Sequence, residues 1–98
     1  VYWVYRTPEH IERGNHAHKA CLQVLIAVSG EVEVELESLD GISEVYILNN
    51  PATGLFIPVL HWRTIHLSAN AVLLCLASDE FDELDYIRTH QTFLSLKH

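Results

Sequence analysis

Between Glu31 and Glu37 the chain alternates without a break: Glu31, Glu33, Glu35 and Glu37 in one register, Val32, Val34 and Leu36 in the other. A period of two puts the glutamates on one face of an extended strand and the aliphatics on the other, so this segment folds with one wet and one buried face. Like charges side by side repel unless water screens them, so the glutamates mark a solvated sheet face rather than a metal or acid cluster. The remaining segments share this strand character. Residues 1–6 are rich in β-branched and aromatic types, and residues 22–28 form an apolar run suited to a strand buried on both faces. Ser29-Gly30 and Asp40-Gly41 are turn signals, the second predicting a hairpin whose return strand is residues 44–48. Asn49-Asn50-Pro51 breaks that strand, residues 54–57 read as another, and Pro58 ends it. Residues 62–67 and 71–77 suggest a further antiparallel pair around Ser68-Ala69-Asn70. After Ser78 the pattern changes. Ser78 or Asp79 can cap a helix, and Leu84, Ile87, Phe93 and Leu94 fit a short amphipathic one. Many short strands followed by one helix predict an all-β sandwich or barrel.

The 98 residues make one domain, 1–98, and 49% hydrophobic content supplies one core. That is too short for separate cofactor and substrate domains, and a domain this small buries a modest share of its surface, which favours a dimer. Thirteen acidic against six basic side chains give a formal charge of −7, which argues against nucleic acid or an anionic membrane as the main partner. It leaves room for a small anionic ligand, which needs only a few local cations. Cys21 and Cys75 share no spacing motif and lie in apolar runs, so they read as buried free thiols. No apolar run approaches the roughly 18 residues of a membrane helix, and no signal peptide is visible, which fits a cytoplasmic protein. The chain begins mid-pattern at Val1-Tyr2, so residues are expected before it.

The strongest chemical signal is Arg13-Gly14-Asn15-His16-Ala17-His18. On a strand His16 and His18 project to the same face, where a histidine pair serves either metal ligation or proton transfer near neutral pH. From His18, four residues intervene before Gln23 and six more before Gly30. This resembles the first cupin motif, His-x-His, three or four residues, Glu, six residues, Gly. The glutamate ligand of that motif is Gln23 here, and an amide is a poorer ligand for a divalent cation than a carboxylate. The second cupin motif would be Pro-x-Gly-x-x-His, but Pro58-Val59-Leu60-His61 is too short and lacks the glycine, and His66 is also off spacing. Two ligands are thus present, one is replaced and one is displaced, which weighs against a metal and leaves the pair as acid/base machinery.

The string Arg-Gly-Asn-His-Ala-His-Lys at 13–19 further resembles the signature of the sugar-nucleotide 3,4-ketoisomerases, cupins acting on a dTDP-linked 4-keto-6-deoxy sugar. Val1-Tyr2-Trp3-Val4-Tyr5, Gly54-Leu55-Phe56-Ile57-Pro58, Trp62-Arg63, Leu76-Ala77-Ser78-Asp79, Phe81-Asp82-Glu83 and Asp85-Tyr86-Ile87-Arg88 extend the likeness in the expected order. The resemblance implies a small cupin jelly-roll β-barrel with a short C-terminal helix, an N-terminal segment before Val1, a homodimer, no metal and no cofactor. It implies an isomerase of deoxysugar and lipopolysaccharide biosynthesis that moves a ketone from C4 to C3 through an enediol. By resemblance His16 is the principal acid/base and His18 its partner, donating to the sugar oxygens. Arg13 suits the diphosphate as a fixed cationic fork. Tyr2 and Tyr5 precede the signature and could donate phenolic hydrogen bonds, Trp62 could stack on thymine or sugar, and Arg63 could meet phosphate; core or interface roles compete for each aromatic. His61 and His66 are weaker candidates, His10, His90 and His98 read as surface residues, and Asp85, Tyr86 and Arg88 as a motif that fixes the helix. The competing functions are an epimerase in the same scaffold, a metal-binding cupin, and a sugar-nucleotide-binding module without catalysis.

Overall fold

The computed structural model describes residues 2–4, 12–79 and 82–96. In chain order the strands are β1 (Tyr2–Val4), β2 (Glu12–His18), β3 (Gln23–Ser29), β4 (Val32–Glu37), β5 (Ser43–Leu48), β6 (Leu55–Ile57), β7 (Trp62–Leu67) and β8 (Val72–Ala77). A 3₁₀ turn over Glu83–Asp85 leads into β9 (Tyr86–Ile87), and helix α1 (His90–Leu94) follows. The strands form a four-stranded sheet in the order β1-β8-β3-β6 and a five-stranded sheet in the order β5-β4-β7-β2-β9. Every pairing is antiparallel. The two sheets stay separate ladders packed face to face, the double-sheet form of a small cupin jelly roll.

The core between the sheets follows from strand alternation. Val32, Val34 and Leu36 from β4 and Ile65 and Leu67 from β7 meet Leu25 and Ala27 from β3, Ile57 from β6, and Leu73 and Cys75 from β8. Each aliphatic side chain buried there contributes about 1.5–3 kcal/mol relative to leaving it exposed. Glu31, Glu33 and Glu35 lie exposed on the other face, as the alternation requires. The β4–β5 hairpin turns through Gly41 at φ +82. Gly30 carries a second left-handed turn (φ +75), and a Cβ there would lie 2.7 Å from the Ala71 Cα, so no other residue fits without moving backbone.

Three expectations are corrected. Strand β3 is buried on one face only; Val24 and Ile26 are half-buried and Val28 is exposed on the other. Strands β7 and β8 do not pair with each other. The link through Ser68 and Asn70 (φ +63) carries the chain from one sheet to the other, so β7 joins β4 and β2 while β8 joins β3 and β1. The C-terminal helix is five residues capped by Thr89, whose hydroxyl accepts from Thr92 N–H, and Ile87, expected on the helix, is on β9. A satellite core lies behind the five-stranded sheet, where Phe93 of α1 packs with Ala17, Trp62 and Ile87. No described helix is long and apolar enough to cross a membrane.

Candidate active site

Strand β2 carries the histidines, and a bulge decides where they point. Opposite β7, Arg13 pairs with Ile65 and Gly14 with Thr64, but His16, not Asn15, pairs with Arg63. Asn15 is the extra residue, held at φ +53. One inserted residue reverses the facing of everything after it. Without it Asn15 would take the inner position; with it His16 and then His18 share the inner face with Arg63, while Ala17 turns out to the satellite core.

The two imidazoles pack edge to face, ring centroids 4.9 Å apart. Tyr86 lies against both, 5.0 Å from His16 and 4.4 Å from His18, because β9 pairs with β2 at Ala17↔Ile87 and His18↔Tyr86. The Arg88 guanidinium stands over the Tyr86 ring at 4.2 Å and is clamped by Glu83. Burial pushes the Tyr86 hydroxyl above its ordinary range, partly offset by the Arg88 charge, so it is a phenol at neutral pH.

His18 is 2% exposed. Its Nδ1 lies 2.8 Å from Oδ2 of Asp85, whose Oδ1 accepts from Ala20 N–H at 2.7 Å and whose Oδ2 also accepts from Cys21 N–H at 3.2 Å. Burial pushes the His18 pKa down, the Asp85 hydrogen bond opposes it, the Arg63 charge adds to the fall, and the balance lies below the usual 6.5. Burial would raise the Asp85 carboxyl, but the hydrogen bonds from His18 and the two amides outweigh it and hold the group below its ordinary 3.8. The neighbouring loop is tied in as well: Leu60, at φ +56, donates its N–H to the His18 carbonyl at 2.7 Å.

Arg63 is 1% exposed, a cation in the floor of this site. It donates to Gln23 Oε1 through a short bond and to the His61 carbonyl at 3.3 Å. Gln23, standing where the cupin motif has a carboxylate ligand, thus turns its oxygen to a guanidinium. Among the described residues, His18, Cys21 and Asp85 form the one cluster with metal-ligand atom types, its atoms within 4.8 Å of one another. There the His18 Nδ1 and an Asp85 oxygen are already committed to each other.

Of the expected site residues, the structure brings together His16, His18 and Arg63. Trp62 is on the outer face of β7, 5.9 Å from Phe93 and 5.2 Å from His90, on the side of the sheet away from the histidines. His61 turns its Nδ1 to the Val59 carbonyl, and His66 lies on the outer face beside Glu33. Tyr2 falls opposite Cys75 in the β1–β8 register, Arg13 opposite Ile65, and Tyr5 and His10 lie outside the described residues, as does His98. Asp85 and Tyr86, expected from the sequence to fix the helix, stand against the histidine pair. The Asp-Tyr-Ile-Arg string was the signal, but nothing in it says that two residues form a strand beside β2.

A double antiparallel sheet with a histidine pair on its inner face defines the class: a small cupin whose site is built for polar chemistry. The family described as FdtA: WxcM-like, C-terminal is matched over residues 1–98, and the chain belongs to that family. TDP-4-oxo-6-deoxy-alpha-D-glucose-3,4-oxoisomerase of Aneurinibacillus thermoaerophilus is 39% identical over 94 residues, covering 95% of this chain and 67% of that protein. A histidine-to-asparagine mutant of the 3,4-ketoisomerase QdtA from Thermoanaerobacterium thermosaccharolyticum, solved in complex with TDP-4-keto-6-deoxyglucose, superposes with a TM-score of 0.92 at 36% identity, over 98% of this chain and 70% of that one. A 3,4-ketoisomerase from Helicobacter canadensis superposes with a TM-score of 0.91 at 42% identity, over 97% and 71%.

Proposed function

We propose that this chain is an isomerase that moves the ketone of a TDP-linked 4-keto-6-deoxyhexose from C4 to C3. The observation that carries the reading is the imidazole pair of His16 and His18 on the inner face, beside a buried guanidinium. The reaction takes the C3 proton onto a base, spreads the resulting charge over an enediolate, and returns a proton to C4 while the C3 hydroxyl becomes the ketone. No electron leaves the sugar, so no redox partner is needed. The proton steps call for groups that can both take and return a proton, as an imidazole does, and each histidine is expected to contribute about 10²- to 10⁴-fold in rate. Arg63 is a fixed charge that favours the enediolate without reorganising. Arg13 is proposed for the diphosphate, and Tyr2 and Tyr5 for hydrogen bonds to the substrate. The reading is metal-independent, supported by Gln23, whose oxygen accepts from Arg63.

A cytoplasmic homodimer is the proposed form. Leu22, Val28, Phe56 and Leu76 are exposed on or beside the outer face of the four-stranded sheet, which a second copy would cover. Sedimentation at low micromolar concentration should give twice the chain mass; a strict monomer would remove the dimer from the proposal.

The test of activity is proton NMR of the chain with TDP-4-keto-6-deoxyglucose in D₂O. A 3-keto product with deuterium at C4, absent with His16→Asn, is expected. Absence of product and of deuterium at C3 with the unmodified chain would overturn the isomerase.

A further inference from the structure

We infer that Asp85 is a positioning residue that sets the tautomer of His18, so that His18 meets the substrate through an unprotonated Nε2. This rests on the proposed isomerase for its kinetic consequences and on geometry alone for its tautomer.

The argument starts from what each atom can give. Asp85 is ionised at neutral pH and offers only lone pairs, so the proton in the 2.8 Å contact belongs to His18 Nδ1. A neutral imidazole with its proton on Nδ1 has a lone pair on Nε2. His18 therefore accepts a proton at Nε2, and it donates from that atom only after it has taken one. The donor role toward the sugar oxygens expected from the sequence then follows the uptake of a proton at Nε2.

The carboxylate cannot swing away from this duty. Ala20 N–H and Cys21 N–H, both in the loop after β2, hold its two oxygens, while the Lys19 N–H donates to the Asp85 carbonyl at 3.0 Å. The 3₁₀ turn that delivers Asp85 is itself capped by Asp82, whose side chain accepts from Leu84 N–H. The chain spends several hydrogen bonds to put one carboxylate against one imidazole, the arrangement by which a buried acid orients a catalytic histidine.

Asp85→Ala tests it because it removes the acceptor that holds the proton at His18 Nδ1. An Asn would be a poorer test, since both carboxylate oxygens face a backbone N–H and either orientation of the amide opposes one of them. Without the carboxylate the ring is released to the Nε2–H form that a free imidazole prefers. In the full chain with ¹⁵N-labelled histidine, long-range ¹H–¹⁵N spectra should show the Nδ1–H tautomer for His18, and a population of the Nε2–H tautomer in Asp85→Ala. The kcat for TDP-4-keto-6-deoxyglucose should fall about 10²- to 10⁴-fold with KM within a few-fold, and Asp85→Glu should recover part of it. The groups facing His18 are His16 on β2, Cys21 in the following loop, Arg63 on β7, and Asp85, Tyr86 and Arg88 at β9. With the other five unchanged, loss of the Asp85 charge should also move the acid limb of kcat/KM to lower pH. An Nε2–H tautomer in the unmodified chain overturns the inference whether or not the variant folds. So does a variant with the flipped tautomer and kcat within threefold. If the unmodified chain turns over no keto sugar, the isomerase fails, while the unmodified chain's spectrum still decides the role of Asp85.

Discussion

Strands β2 and β7 have two faces that differ in kind. On the inner face stand His16, His18 and Arg63, with Tyr86 of β9 laid against them. On the outer face, one residue out of step, stand Ala17 and Trp62, closed over by Ile87 and Phe93. The inner side is held by directed bonds: Asp85 to His18, Arg63 to Gln23, Leu60 to the His18 carbonyl. The outer side is held by contact area, with an exposed His90–Glu37 pair at its rim that is worth little. The contrast teaches that alternation lets one strand present chemistry and be pinned in place at the same time, and that the two tasks can be damaged separately.

The largest effect that would break or sharpen this separation is Phe93→Ala. Phe93 is fully buried and is the anchor of a five-residue helix too short to persist without packing. Truncation should cost about 3–5 kcal/mol, read by urea denaturation, with kcat within twofold wherever the variant is folded. His18→Gln should do the reverse, abolishing most turnover with a smaller stability loss of about 1–3 kcal/mol, the worth of the hydrogen bond to Asp85. A folded Phe93→Ala enzyme without activity would show that the outer core sets the geometry of the inner face, and the two-task picture would fall.

The sequence made parts of this legible because their physics is local. Strand β4 declared its wet and dry faces by period, the Asp40-Gly41 hairpin by turn chemistry, and the histidine pair by its spacing of two. Resemblance to the ketoisomerases supplied the family, which residue pattern alone would have left as a small β-sandwich. What stayed hidden depends on long-range placement. The bulge at Asn15 needs the β7 register before it can be seen. The crossing between β7 and β8 looks in sequence like any hairpin loop, because Ser68-Ala69-Asn70 suits both. The apolar run after Leu22 spells burial on both faces, yet within one chain its outer face is only half covered. Trp62 fits a stacking platform and a core equally, and only the side of the sheet decides. The Asp85–His18 bond joins residues 67 apart, and a strand of two residues has no periodicity to detect.

The smallest expected effect is the pH dependence of stability, and it tests the inner face alone. The folded-state pKa of His18 lies below its unfolded 6.5, first because of burial. As pH falls through 6.5 the unfolded chain takes up a proton that the folded one refuses, so stability declines there and continues to decline down to the folded pKa. Asp85 acts in a lower window: its folded pKa is also depressed, so its contribution is present above about 3.8 and is lost as pH falls further. Both slopes have the same sign, giving a chain that weakens toward acid, while kcat/KM should fall along its acid limb at a pH below 6.5, where the folded His18 takes up a proton at Nε2. Urea midpoints measured between about 2.5 and 7 should therefore rise with pH. His18→Gln should flatten the upper part of that rise and leave the lower part. If the slope below 6.5 survives unchanged in His18→Gln, the buried imidazole is not its source. The inner face would then not be the electrostatically tense half of the pair of faces.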